Sequence, residues 1–277
     1  MENGQINDSL TDACFEELVK LTHKLTGITI GSDRKSMLVS RLRRRVRAQG
    51  LTDFDSYVRF VSEDRDEAQQ FVNSVTTNET YFYRTPRVWD FITGDFLEKW
   101  IGDGIKRPLR AWSAASSTGE EAHTMGVFFQ DLKDRHTAFN YEILATDISS
   151  RVVNVAKEGT YSGRSIERFR TAKPDLFERY MTTEDDCNYQ ARSDIRQSIS
   201  FQAHNLFKPL RTAHKFDIIF IRNVLIYFTK KDQEIVLSNI DRALGDEGVL
   251  VIGESESLAQ VNTNFQSVVP LVYRRKS

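Results

Sequence analysis

The residues Ala111-Trp112-Ser113-Ala114-Ala115-Ser116-Ser117-Thr118-Gly119-Glu120-Glu121 carry the most chemistry per position in this chain. They read as a buried strand, a turn of small residues, and a helix that opens on two carboxylates. Strand, small-residue turn and helix is how an α/β sheet builds a nucleotide site at the carboxyl ends of its strands. The glycine pattern of a dinucleotide fold is missing, since Gly119 stands alone, and nothing provides close backbone approach to a pyrophosphate. Two acids at a helix start repel phosphate but suit a cationic or hydroxyl-rich ligand. S-adenosylmethionine is such a ligand: it has a sulfonium, an amino group and ribose hydroxyls, and no phosphate.

Three further segments place polar groups where such a cleft would form. Asp147 follows Glu142-Ile143-Leu144-Ala145-Thr146, and a carboxylate at the tip of a second strand is where ribose hydroxyls are gripped. The same residue also suits the cap of a helix starting near Ser149, and both roles stay open. Phe216 to Ile221 reads as a buried strand ending in Arg222-Asn223, with Tyr227 shortly after. Thr77-Asn78-Glu79-Thr80-Tyr81-Phe82-Tyr83-Arg84 lies at a junction and reads either as a docked helix end or as a lid over ligand and substrate.

The elements that position these residues fall into two regions. Residues 1–80 read as an all-helical domain. Phe15, Leu18, Val19, Thr22 and Leu25 recur at helical spacing; Asp33 is expected to cap a helix running to Gln49; Asp53 caps a third; Glu67 to Val75 forms a fourth. Residues 81–277 alternate strands with helices, which predicts a mostly parallel sheet covered on both faces. Strands are expected at Leu109–Ser113, Tyr141–Thr146, Phe216–Ile221, Gly248–Gly253 and Ser267–Arg274, with helices at 87–100, 120–133, 149–157 and 231–244. A small antiparallel β-insertion is expected at about 182–203.

Composition bounds the possibilities. The chain has 277 residues, 40% of them apolar, and a net charge of −1, so it can bury a sizeable core and carries no global bias toward nucleic acid. Cys14 and Cys187 lack metal-type spacing, the histidines show no ligand pattern, and no metal site is expected. Met1 to Thr11 is polar, with no signal-peptide pattern, and no run approaches the length of a membrane span, which predicts a cytoplasmic protein without membrane insertion. Charge is nonetheless local. Between Ile28 and Gly50 seven basic residues (Arg34, Lys35, Arg41, Arg43, Arg44, Arg45 and Arg47) face one acid, Asp33, while Leu38, Leu42 and Val46 form the apolar stripe. A solvated face balanced by Glu63, Asp64, Asp66 and Glu67 is one reading. An acidic partner, either nucleic acid or a glutamate-rich helix, is the other.

Taken in order, these segments resemble the chemotaxis receptor glutamate methyltransferases, the CheR-type enzymes. The likeness rests on Thr77–Arg84, Ala114–Glu121, Ala145–Ile148, Asn205-Leu206 and Arg222–Phe228, and spans roughly residues 10–275. It implies a Rossmann-like class I methyltransferase domain behind the helical domain. It further implies cofactor contacts at Asn78, Thr80, Arg84, one or both of Glu120 and Glu121, Asp147, Asn205, Leu206, Arg222 and Asn223. The reaction implied is methyl-ester formation on receptor glutamates. Arg84 and Arg222 are then the candidates for orienting the attacking carboxylate, although the family pattern ties both to the cofactor region; Tyr227 is the candidate for shaping the pocket, and Arg41, Arg43, Arg44 and Arg47 for holding the receptor's signalling helices. Family members that dock on a receptor pentapeptide carry glycine in the insertion loop, whereas Met181 to Tyr189 has none here, which predicts no such tether. A nucleic-acid methyltransferase is the competing enzyme, but Arg222-Asn223-Val224-Leu225 stands where base-amino methyltransferases commonly carry Asp/Asn-Pro-Pro-aromatic. A non-catalytic signalling adaptor is the competing reading from another class.

Overall fold

The computed structural model describes residues 10–276, Glu184 excepted. Four helices come first: α1 (Asp12–Thr26), α2 (Lys35–Ala48), α3 (Phe54–Glu63) and α4 (Arg65–Val75). Their apolar stripes meet in a core of their own, where Leu18, Leu38, Leu42, Val46, Tyr57 and Phe71 are fully buried. Asp53 caps α3 by accepting from Ser56 N at 2.8 Å. Asp33 does not cap α2. It sits inside a short 3-10 turn, Ser32–Arg34, with its carboxylate folded back over Gly31, and the helix proper starts at Lys35 without a side-chain cap. Helix α4 begins earlier than Glu67, because Asp64 caps it and accepts from Glu67 N at 2.6 Å.

Glu67 instead ties three helices together. Its carboxylate accepts from Arg45 Nε (3.0 Å), Tyr57 Oη (2.6 Å) and Gln49 Nε2 (2.6 Å), and Arg45 Nη2 closes a second bond. Burial alone would raise this carboxyl, but the bonds from Arg45, Tyr57 and Gln49 hold it below the ordinary range. One arginine of the basic run is thereby directed inward.

The second region begins with a helical stretch, α5 (Pro86–Phe91) and α6 (Leu97–Gly102), continuous through a π segment at Ile92–Phe96. Strands and helices then alternate: β1 (Leu109–Ala114), α7 (Glu120–Arg135), β2 (Tyr141–Asp147), α8 (Ser150–Glu158) and β3 (Thr160–Tyr161). Next come α9 (Arg164–Ala172), α10 (Pro174–Tyr180), β4 (Met181–Thr183), β5 (Tyr189–Ala191), α11 (Ser193–Gln197) and β6 (Ile199–Ala203). The chain closes with β7 (Phe216–Ile221), α12 (Lys230–Ala243), β8 (Leu244–Ile252), β9 (Phe265–Val269) and β10 (Val272–Arg275).

Seven strands form one sheet in the order β6-β2-β1-β7-β8-β10-β9. The first five are mutually parallel, and β10 and β9 add antiparallel. The single run expected over 267–274 is a hairpin instead: Pro270 lacks a ladder donor, and Leu271 turns the chain at φ 72°. The small antiparallel sheet is β3-β5-β4. It therefore takes a strand from position 160 and ends at 191. Ile199–Ala203, expected inside the insertion, joins the large sheet beside β2, with Ile199 in its core. The chain passes from β1 to β2 on one side and returns to β7 on the other, so the ends of β1 and β7 flank a topological switch point where a cleft must open.

Glu67→Gln is expected to destabilise the protein by about 2–4 kcal/mol, since it leaves Arg45 and the buried Tyr57 without their charged acceptor. Denaturant unfolding of the full chain measures this, and a midpoint equal to wild type would contradict it.

Candidate functional site at the switch point

The cleft at this switch point encloses about 1160 Å³ of empty space, part of it open to solvent. Seven non-glycine residues have positive φ among the described residues, and five lie on the loops that meet here: Tyr83, Thr85, Ala115, Ser117 and Asn223. Such backbone is costly and persists only where its surroundings over-determine it.

The loop after β1 shows how. Ser116 N donates to Thr146 O at 2.8 Å, Ser117 N to Asp147 Oδ2 at 2.9 Å, and Ser117 Oγ to Asn78 O at 2.8 Å. Gly119 stands at φ 95°, where an added Cβ would meet Tyr161 Oη at 2.8 Å and Ala156 Cβ at 2.9 Å, so only glycine fits. Asp147 shapes the turn ahead of α8, whose cap position is Ser149, and it faces the cleft. Oδ1 accepts from Ser149 N at 2.9 Å, which turns the chain into α8, and the same carboxylate lines the cleft. Burial raises its pKa, opposed by those backbone donors.

The two adjacent acids of α7 part company, as neighbours about 100° apart on a helix must. Glu121 lines the cleft, with Oε1 accepting from Ser113 Oγ (2.7 Å) and Oε2 from Arg222 Nη1 (3.0 Å). Glu120 is not on the cleft wall. It is buried beside Thr118 Oγ1 at 2.7 Å, and burial raises its carboxyl. Arg222 is buried too; its Nη2 donates to Arg84 O at 3.0 Å, and that carbonyl also accepts from Trp89 Nε1 at 2.9 Å. The Arg84 side chain is half-buried over the Tyr81 ring.

Asn78, Thr80, Asn205, Leu206, Asn223 and Tyr227 all lie on the cleft wall. Asn205 is also engaged locally, donating to Leu25 O at 3.1 Å and accepting from Phe207 N at 3.0 Å. Of the basic helix, Arg44 and Arg47 are exposed and Arg43 is half-buried. Arg41 points elsewhere: Nη1 donates to Val75 O (2.9 Å) and Thr76 O (3.1 Å), and Nη2 to Thr77 Oγ1 (3.2 Å). It closes the carboxyl end of α4 and the linker that leads to Asn78.

Some positioning residues were not legible in the sequence. Glu256 accepts from Gly253 N (2.6 Å), Val224 N (2.8 Å) and Leu225 N (2.8 Å), which fixes the loop after β7; burial raises its carboxyl. Asn73 and Gln69 of α4 bond the turn after β2, through Ser149 Oγ to Asn73 Oδ1 (2.9 Å) and Gln69 Nε2 to Ile148 O (3.1 Å). Ile28, Ile30, Arg34 and Met37 bring the helical region onto the cleft wall itself. The only available signal was that these residues are polar or apolar out of pattern near a junction, and it names no partner.

The wall fits S-adenosylmethionine. Asp147 retains acceptor capacity for vicinal hydroxyls after its two backbone bonds. Glu121 lines the cleft with a carboxylate already paired to Arg222, and phosphate has no glycine cradle. Three buried polar atoms of cleft residues, Ser116 Oγ, His204 Nε2 and Arg222 Nε, have no hydrogen-bond partner among the described residues.

A parallel sheet with a β2-terminal acid and this switch-point cleft defines a Rossmann-like cofactor-binding domain. The chain belongs to the CheR methyltransferase family: the profile of its SAM-binding domain matches residues 78–272, and that of its all-alpha domain matches residues 13–76. A chemotaxis protein methyltransferase of Salmonella typhimurium is 30% identical over 96% of this chain and 91% of its own length. The protein of the same name from Escherichia coli is 30% identical over 93% and 88%, and that from Borreliella burgdorferi 28% over 98% and 96%.

Asp147→Asn is expected to weaken S-adenosylhomocysteine binding by about 1–3 kcal/mol, roughly 5- to 150-fold, because a charged acceptor is lost. Calorimetric titration measures it, and an unchanged affinity would contradict the assignment.

Proposed function

We propose that this enzyme transfers the methyl group of S-adenosylmethionine to glutamate γ-carboxylates on the cytoplasmic signalling helices of chemotaxis receptors, forming methyl esters in sensory adaptation. The observation that carries the reading is one cleft that joins a cofactor wall, Asp147 and Glu121, to a wall from the helical region that bears Arg34 and leads into the exposed arginines of α2. Bound S-adenosylmethionine supplies an electrophilic methyl on a sulfonium. The substrate carboxylate is already ionised near neutral pH, so the protein has no proton to remove. Its work is to hold the carboxylate in line and exclude water.

Arg84 orients that carboxylate. Its guanidinium lies at the cleft over Tyr81, while strained Tyr83 and Thr85 on either side fix its backbone. Arg222, bonded to Glu121 and to the Arg84 carbonyl, acts as a positioning residue and cofactor neighbour. Tyr227 shapes the pocket, with its carbonyl accepting from Thr29 N at 2.9 Å. Arg44 and Arg47 meet the acidic receptor helix, with Arg43 beside them. Arg41 serves the same surface indirectly, by holding the linker. No pentapeptide tether is part of this reading, on the glycine-free stretch Met181–Tyr189, of which Glu184 lies outside the described residues. No helix among the described residues is long and apolar enough to cross a membrane, and we place the enzyme in the cytoplasm.

The test is transfer of labelled methyl from S-adenosylmethionine to chemoreceptor-bearing membranes, followed by mild alkali. Label released as methanol is expected, and label stable to alkali would overturn the ester. With Arg44→Glu and Arg47→Glu together, transfer should fall at least about tenfold while S-adenosylhomocysteine affinity holds. Loss of both would point to misfolding and remove the support for the docking face.

A further inference from the structure

Beside Arg84 at the cleft stands a second cation, Arg168, that the foregoing function does not use. The half-buried Tyr81 ring has two guanidinium groups on it: Arg84 at 5.3 Å and Arg168 of α9 at 5.8 Å from its centroid. Arg168 is exposed, and its Nη1 lies 3.5 Å from Tyr81 Oη. The pair is held in register. Phe82 N donates to Ser165 O at 2.7 Å, and the Phe82 ring packs on Phe169 and Tyr161 at 5.9 and 4.8 Å, so the segment carrying Arg84 is tied to the start of α9.

Neither guanidinium meets a carboxylate among the described residues. Two like charges beside one ring repel unless an anion joins them, and the aromatic face offsets only part of that. The arrangement leaves two guanidinium groups with donors to spare beside one ring, Arg84 holding only Glu79 O at 3.5 Å and Arg168 only Tyr81 Oη among the described residues, a geometry suited to carboxylates. Side chains one helical turn apart have Cβ atoms about 5–6 Å apart, which suits two carboxylates on one helix face meeting two arginines on one ring.

We propose that Arg168 is a specificity-determining residue that reads an acidic side chain one helical turn from the target glutamate on the substrate helix, while Arg84 takes the target itself. This rests on the proposed receptor-glutamate reaction. It assigns part of the substrate contact to α9, beside the small sheet, in addition to α2.

The experiment is a double-mutant cycle with the full-length enzyme and receptor cytoplasmic fragments. In these fragments each acid one turn before or after a methylated glutamate is replaced in turn by glutamine. Arg168→Gln is expected to lower kcat/KM about tenfold, mainly through KM, with S-adenosylhomocysteine affinity unchanged. One of the fragment substitutions should cost wild type the same factor and cost Arg168→Gln nothing more. Arg168→Glu should regain activity on the fragment carrying lysine at that position. Wild-type kinetics in Arg168→Gln, or losses that multiply, would overturn the inference and leave the reaction intact. Absence of any methyl ester with wild-type enzyme would overturn the reaction and the inference together.

Discussion

The structure turns on one buried ion pair, Arg222 with Glu121 at 3.0 Å. The Arg222 side chain is 2% exposed and that of Glu121 12%, so each charge depends on the other. Breaking such a pair from one side costs about 3–5 kcal/mol, because the remaining charge is stranded. Its reach is wider than two residues. Glu121 draws in Ser113 of β1, and Arg222 draws in the Arg84 carbonyl, so the pair fixes the ends of β1 and β7, the start of α7 and the segment bearing Arg84. A cleft at a switch point is only a gap until something sets its width.

The helical region completes that cleft as one of its walls. Asn73 and Gln69 bond the turn that carries Asp147, Arg41 caps α4 and holds the linker to Asn78, and Thr29 N meets Tyr227 O. His23 Nε2 and Asp232 of α12 add a contact at 2.9 Å on the far side. The proposed docking face on α2 is thereby built on the same framework of contacts that holds the cleft wall.

Much of this was legible in the residues. The expected strands Leu109–Ser113, Tyr141–Thr146 and Phe216–Ile221 fall on β1, β2 and β7, because short, largely apolar segments that alternate with helices suit a sheet covered on both faces, and each is followed by polar groups that line the cleft. That Asp147, Arg222 and Asn223 face the cleft was legible from their place at strand ends. The misses have physical causes. Strand direction is invisible in a short extended segment, so Ile199–Ala203 was assigned to the small sheet when it pairs parallel with β2. A run of arginines does not say which point outward, and Arg45 and Arg41 are tied to Glu67 and to backbone carbonyls by contacts 22 and at least 34 residues away. Glu256 looked like an ordinary loop acid because its three backbone donors come together only in the fold.

The most direct test of the account is a double-mutant cycle on the central pair, Glu121→Gln, Arg222→Gln and both together, read as S-adenosylhomocysteine affinity by calorimetry. If the pair builds the cleft as a unit, each single variant loses nearly as much affinity as the double, and the coupling amounts to about 1–3 kcal/mol. Losses that simply add would show that the two residues act independently, and would contradict the claim that this ion pair organises the site.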